Sequence, residues 1–138
     1  MKKILVAHDG SNASEKALWE TAGIAQKLGA SLTVVSVVPN VCFIDVGVDC
    51  DTVSRIYRAE VEGVMERVKA GLSEKGIEAG TSILEGNPAD AIVDYAKDNE
   101  MDLIALGSTG KHSAGRTLLG SVSSRVLSHA SCSVIVIR

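Results

Sequence analysis

Aromatic side chains are scarce in this 138-residue chain, which holds only Trp19, Phe43, Tyr57 and Tyr95. With so few rings the core has to be aliphatic, and no stacking platform for single-stranded nucleic acid is available. A basic excess is missing too. Fourteen Lys and Arg stand against seventeen Asp and Glu, for a net charge of −3 and a pI near 5.6. That balance excludes a general binder of nucleic acid or of anionic membranes, either of which wants a basic face. No apolar run reaches the roughly 18 residues of a membrane span. The opening Met1–Ala7 turns polar at His8-Asp9-Gly10, too early for the apolar stretch of a signal peptide. A soluble, cytoplasmic chain is expected. Cysteine is sparse as well: Cys42, Cys50 and Cys132 are an odd number without CxxC spacing. No His lies near the acidic residues around the first two to complete a metal site. Reduced thiols, the first two a partly buried pair, are the expectation.

Apolar residues, by contrast, make up 46%, and a chain of this length buries about two thirds of its unfolded surface. One domain over residues 1–138 is expected. Short β-branched runs alternate with segments of helical period. Lys3–Ala7 reads as a buried strand. A helix follows, with Asn12 as cap, Glu15 completing a capping box, and Leu18, Ala22, Ala25 and Leu28 on one face; Gly29 stops it. Ser31–Val38 is a second strand, and residues 40–51 read as a loop. Thr52–Lys75 is a long amphipathic helix whose apolar face comprises Val53, Ile56, Val61, Val64, Val68 and Leu72, stopped by Gly76. Ile77–Leu84 is a weaker strand. Asn87 caps the next helix with Pro88 at its first position; it runs to about Asn99 and buries Ile92, Val93 and Ala96. Asp102–Leu106 is the fourth strand, Gly107–Leu119 a glycine-rich loop, Gly120-Ser121 a helix start, and Cys132–Ile137 the last strand. Continuous apolar strands separated by helices imply an α/β class: a single doubly wound five-stranded parallel sheet with helices on both faces.

Ligands in such sheets bind at the carboxyl ends of the strands. Two loops there have unusual composition, His8–Asn12 and Gly107–Ser123. In the second, Gly107 and Gly110 let backbone amides face an anion, Gly120-Ser121 opens a helix N-terminus, and Lys111 and Arg116 supply cations. These are the parts of a phosphate cradle. A dinucleotide fingerprint is absent after the first strand. Gly115-x4-Gly120-Ser121 has Walker A spacing, but Ser121 stands where the lysine belongs. Strand four also lacks an acid at its end for Mg²⁺. The loop is suited to holding phosphates more than to transferring them. Asp9 is the best-placed acid, able to accept from a ribose or to hold Mg²⁺. His8 can line the pocket. A hydrolytic trio of Asp9, His112 and a loop serine lacks the nucleophile-elbow sequence, so no catalytic residue is assigned. His129 suits the end of its helix dipole.

Over essentially its whole length the sequence resembles the universal stress protein family. The resemblance rests on Lys3–Ser11, on Gly86-Asn87-Pro88-Ala89 followed by Asp102-Leu103-Ile104, and above all on G-x2-G-x9-G-[ST], met by Gly107, Gly110, Gly120 and Ser121. This motif resembles that of the family's ATP-binding branch. The resemblance implies the strand order 3-2-1-4-5. It sets Asp9 on the ribose, where Mg accompanying ATP could also reach it, and Ala7 and Val37 against the adenine. Gly107, Ser108, Gly110 and Lys111 would line one side of the phosphates, and Gly120, Ser121, Val122 and Ser123 the other. It also implies a homodimer through the C-terminal strand 132–138, an exposed apolar edge without an interior charge or Pro to block pairing. Three positions depart from the family's habits: His8, Ser36 and Ser133.

The expected function is a dimeric nucleotide-sensing module of the stress response, binding ATP or AMP and signalling to an unidentified protein partner. Two alternatives stay open. One is a slow ATPase or adenylate hydrolase using Asp9 and loop hydroxyls. The other is a nucleotide-free protein-interaction module.

Overall fold

The computed structural model describes residues 1–40, 49–109 and 119–138. Nine elements alternate along the chain: β1 (Lys3–Ala7), α1 (Asn12–Leu28), β2 (Ser31–Pro39), α2 (Cys50–Glu74), β3 (Gly80–Gly86), α3 (Pro88–Asp98), β4 (Leu103–Gly107), α4 (Ser121–His129) and β5 (Ser133–Ile137). All strand pairs are parallel, and the sheet order is β3-β2-β1-β4-β5. This is the doubly wound α/β sheet that the strand pattern implies and the order that the resemblance implies.

Alternation along the strands divides the core between two faces. Ile4, Val6 and Val34 point to one side and pack with Leu18 of α1 and with Val64, Val68 and Leu72 of α2. Leu5, Val35 and Ile104 point to the other and meet Ile92 of α3 and Val126 of α4. Each such fully buried aliphatic side chain contributes about 1.5–3 kcal/mol, so both faces are needed to hold β1 in the middle. At the amino end of the sheet, the Asp102 carboxylate accepts from the Lys2 and Lys3 amides at 2.8 and 2.9 Å. Those two backbone bonds hold its carboxyl below the usual aspartate value.

Several local expectations change. The cap of α1 is Ser11, whose Oγ accepts from Ser14 N at 3.1 Å, not Asn12. Glu15 is accordingly no part of a capping box. Ile56 is 62% exposed; only Val64, Met65, Val68 and Leu72 of α2 are buried, the part of the helix that packs with Ile4, Val6 and Val34. Val93 is half-buried. β3 begins at Gly80 and runs on to Gly86. Gly29 and Gly76 end their helices in the left-handed region, and the Asn87–Pro88 start of α3 is present. Cys50 is exposed and disulfide-bonded, in place of the reduced, partly buried thiol anticipated. Cys132 is a free thiol that burial pushes up from its ordinary value. No helix among the described residues is long and apolar enough to cross a membrane.

Candidate functional site

β1 and β4 are neighbours, yet their following segments leave in opposite directions: β1 leads through α1 to β2 on one side, β4 through α4 to β5 on the other. The reversal opens a crevice at the strands' carboxyl ends. A cavity of about 280 Å³ lies there. Its walls are mostly apolar, with Ala7 and Val37 from the strands, Val61 from α2 and Ile92 from α3. The acids Asp9 and Glu60 also line it, as do Gly107, Thr109 and Ser121–Ser123.

Eight of the residues picked from sequence line this one cavity: Ala7, His8, Asp9, Val37, Gly107, Ser121, Val122 and Ser123. Ser108 and Gly120 do not. Ser108 is a junction: its amide donates to Ile137 O at 2.8 Å, and its carbonyl accepts from Gly120 N at 2.6 Å and Ser123 Oγ at 3.0 Å. Those bonds fasten the start of α4 to the ends of β4 and β5. Gly110, Lys111, Arg116 and His112 lie outside the described residues. The wall from α2, with Tyr57, Glu60 and Val61, was not found from sequence, nor was Pro39. Helical periodicity marks a buried face without saying that part of it overhangs a cavity.

Gly107 has a different reason to be glycine from the one inferred. A Cβ there would lie 2.8–2.9 Å from the backbone C and O and the Cβ of Ala13. Its lack of a side chain lets β4 end against the first turn of α1, which closes the crevice floor.

The first turn of α4 forms part of the lining. Its N-cap is Gly120, which offers no side chain to accept from the first-turn amides, whereas Ser11, Asp49 and Asn87 do so for the other three helices. Ser121, Val122 and Ser123, which carry those amides, line the cavity. A helix N-terminus with unclaimed N–H groups and roughly half a positive charge favours an anion. None of the described lining residues is Lys or Arg.

Asp9 sits in the β1–α1 turn, its Oδ1 accepting from Ser11 N at 2.9 Å. Among the described residues no group of three or more His, Cys, Asp or Glu side chains could hold a metal ion. Next to Asp9, His8 is buried yet also lines the cavity, its Nε2 2.7 Å from Glu15 Oε2. The other Glu15 oxygen accepts from Trp19 Nε1 at 2.9 Å, and the Lys75 ammonium lies 3.8 Å from the centre of the Trp19 ring. Partial burial works to raise the Glu15 carboxyl, but the bonds from His8 and Trp19, helped by Lys75, hold it below the ordinary value. Ser14, His8 and Glu15 have the composition of a hydrolytic trio, with Ser14 Oγ 3.3 Å from His8 Nδ1. The hydroxyl, however, donates to Ser11 O at 2.9 Å, and Nδ1 already accepts from the Gly10 amide at 3.1 Å. Ser14 reaches the cavity lining, and these bonds make the trio a brace for the turn.

Comparison with known proteins bears on all of this. A sequence profile described as the universal stress protein family matches residues 1–138. A universal stress protein of Methanocaldococcus jannaschii is 34% identical over 139 residues, covering 99% of this chain and 82% of that protein. Among solved structures, the universal stress protein UspA from Lactobacillus plantarum has a TM-score of 0.87 at 35% identity, covering 99% of this chain and 97% of its own. A universal stress protein from Archaeoglobus fulgidus, solved in complex with dAMP, has a TM-score of 0.68 at 25% identity, with coverage of 100% and 98%.

Proposed function

Because the chain belongs to the universal stress protein family, we propose that the crevice between β1 and β4 binds an adenine nucleotide, ATP or AMP, and that the protein serves as a nucleotide-sensing module. The observation that carries this reading is a single cavity whose lining brings together apolar walls, the Asp9 carboxylate and an uncapped helix N-terminus. A nucleoside phosphate offers a counterpart to each: an apolar base, ribose hydroxyls and anionic phosphates. The base lies against Ala7 and Val37, the ribose hydroxyls donate to Asp9, and the phosphates meet the amides of Ser121–Ser123. The solved relative that holds dAMP supports an adenine ligand. A nucleoside monophosphate suits a cavity of about 280 Å³, near the lower end of small-molecule sites; the further phosphates of ATP extend toward the Gly107–Leu119 loop.

The same reading makes the molecule a homodimer through β5, the apolar strand at one edge of the sheet.

The test is to denature freshly purified protein and chromatograph what it releases, then to follow its melting with added ATP and AMP. Near-stoichiometric adenine nucleotide is expected, or stabilisation by about 2.7 kcal/mol at a hundred times Kd. A protein that is empty and is stabilised by neither nucleotide would overturn the reading.

A further inference from the structure

We propose that His8 is a positioning residue for ligand binding in this cavity: its Nδ1, turned into an obligate acceptor by the Glu15 anchor, holds the Gly10 amide and so fixes the Asp9 carboxylate at the cavity wall. The proposal rests on the nucleotide reading above for its ligand, but not for its geometry.

The turn that carries Asp9 has little stiffness of its own. Gly10 sits at φ +88°, and glycine enters this region about as readily as any other, so the sequence Asp9-Gly10 does not by itself select one conformation. The Ser11 amide holds Asp9 Oδ1 and the Asp9 amide donates to Ser14 Oγ at 3.4 Å; what holds the Gly10 amide comes from His8. The His8 backbone is held on both sides: its amide donates to Val35 O at 2.9 Å, and its carbonyl accepts from Ser36 Oγ at 2.5 Å. The ring then reaches forward over its own chain, and Nδ1 accepts from Gly10 N at 3.1 Å. An amide can only donate, so Nδ1 must carry a lone pair.

An independent constraint at the far side of the ring gives the same answer. Ionised Glu15 can only accept. Its Oε2 lies 2.7 Å from Nε2, so Nε2 carries the proton. Glu15 cannot turn away to offer anything else, because its other oxygen is claimed by Trp19. Trp19 is in turn packed under the Lys75 ammonium. The relay from Lys75 through Trp19, Glu15 and His8 to Gly10 therefore fixes one tautomer and one ring orientation. Val64 closes the remaining side of the turn, its Cγ2 lying 2.9 Å from where a Gly10 Cβ would be. Glu15 does not line the cavity, so an effect of Glu15 on ligand affinity has to travel through His8.

The experiment uses the whole chain, with AMP as probe. Asn places its amide oxygen near the position of Nδ1, whereas Gln places its amide near Nε2 and leaves Gly10 without an acceptor. His8→Gln is expected to weaken AMP binding about tenfold, the effect of losing one hydrogen bond that orders the site; His8→Asn should recover most of that loss, and Glu15→Gln should weaken binding several-fold. The ¹⁵N spectrum of wild-type His8, taken without ligand, should show a protonated Nε2 and an unprotonated Nδ1. Equal affinities for the Asn and Gln variants, or a ring protonated at Nδ1, would overturn the assignment. If wild-type protein fails to bind AMP, the nucleotide reading falls, and the ring spectrum still decides whether His8 holds the turn.

Discussion

Replacing Gly107 by alanine tests the floor of the crevice. The new Cβ would lie 2.8 Å from the Ala13 carbonyl carbon and 2.9 Å from its oxygen and its Cβ. Carbon atoms pack best at about 3.5–4.0 Å, so one element must retreat by at least about half an ångström. Two of the three atoms are backbone, in a helix turn held by the Ser11 cap and the Glu15 N to Ser11 O bond, so no rotamer change relieves the clash. Overpacking of this kind costs about 1–3 kcal/mol. With a urea slope of about 2 kcal/mol per molar, the unfolding midpoint should fall by about 0.5–1.5 M at unchanged slope. AMP affinity should fall with it, since Gly107 lines the cavity. Gly23→Ala, in the middle of α1 with nothing within 4 Å of its added Cβ, is the control. It should stabilise the protein by about 0.5–1 kcal/mol through helix propensity alone. A Gly107→Ala protein within 0.5 kcal/mol of wild type would refute the claim that close approach to α1 is why this position is glycine.

Removing the cap of α1 with Ser11→Ala should cost about 1 kcal/mol, seen as a melting temperature lower by about 4 °C; substitution of Asn12, exposed and outside the cap, should change little. Asp102→Asn probes acid stability. The native carboxyl is held below its ordinary value by the Lys2 and Lys3 amides, so its contribution is present above the unfolded pKa of about 3.8 and is lost as pH falls through the lower, folded value. The variant should show a shallower decline of the urea midpoint with pH below about 4, and an unchanged slope there would count against the Asp102 bonds.

Much of the architecture is legible in the sequence because two periods settle it. Runs such as Ile4-Leu5-Val6 and Val34-Val35 can only be strands buried on both faces, and helix boundaries are announced by Gly29, Gly76 and Asn87-Pro88. Where the reading slipped, competing local chemistry was the cause. Ser11 and Asn12 are both competent caps, and the choice between them depends on where Asp9 turns the chain. Ile56 continues the apolar stripe of α2 but lies before the stretch from Val64 to Leu72 that packs into the core. The site was legible as far as loops after β1 and β4 could be recognised by composition. Tyr57, Glu60 and Val61 were not, because their place beside the cavity depends on the length of α2 and its angle to the sheet, neither of which leaves a local mark. The His8–Glu15 pair was hidden for a similar reason: seven positions apart, one on a strand end and one in a helix, they meet only because the turn between them folds back.

The central place of β1 also bears on how the protein is made. Of these five strands the first to leave the ribosome is the third in the sheet, and one of its two neighbours, β4, begins only at Leu103. At about 5–20 residues per second, several seconds separate the completion of β2 from the arrival of that second neighbour. Throughout that interval the side of Ile4-Leu5-Val6 destined for β4 has no pairing partner, and the face carrying Leu5 and Val35 still awaits α4. An unpaired apolar strand edge is a template for association with other chains. A nascent chain stalled before residue 103 is thus exposed to such association, and any slowing of translation lengthens the exposure.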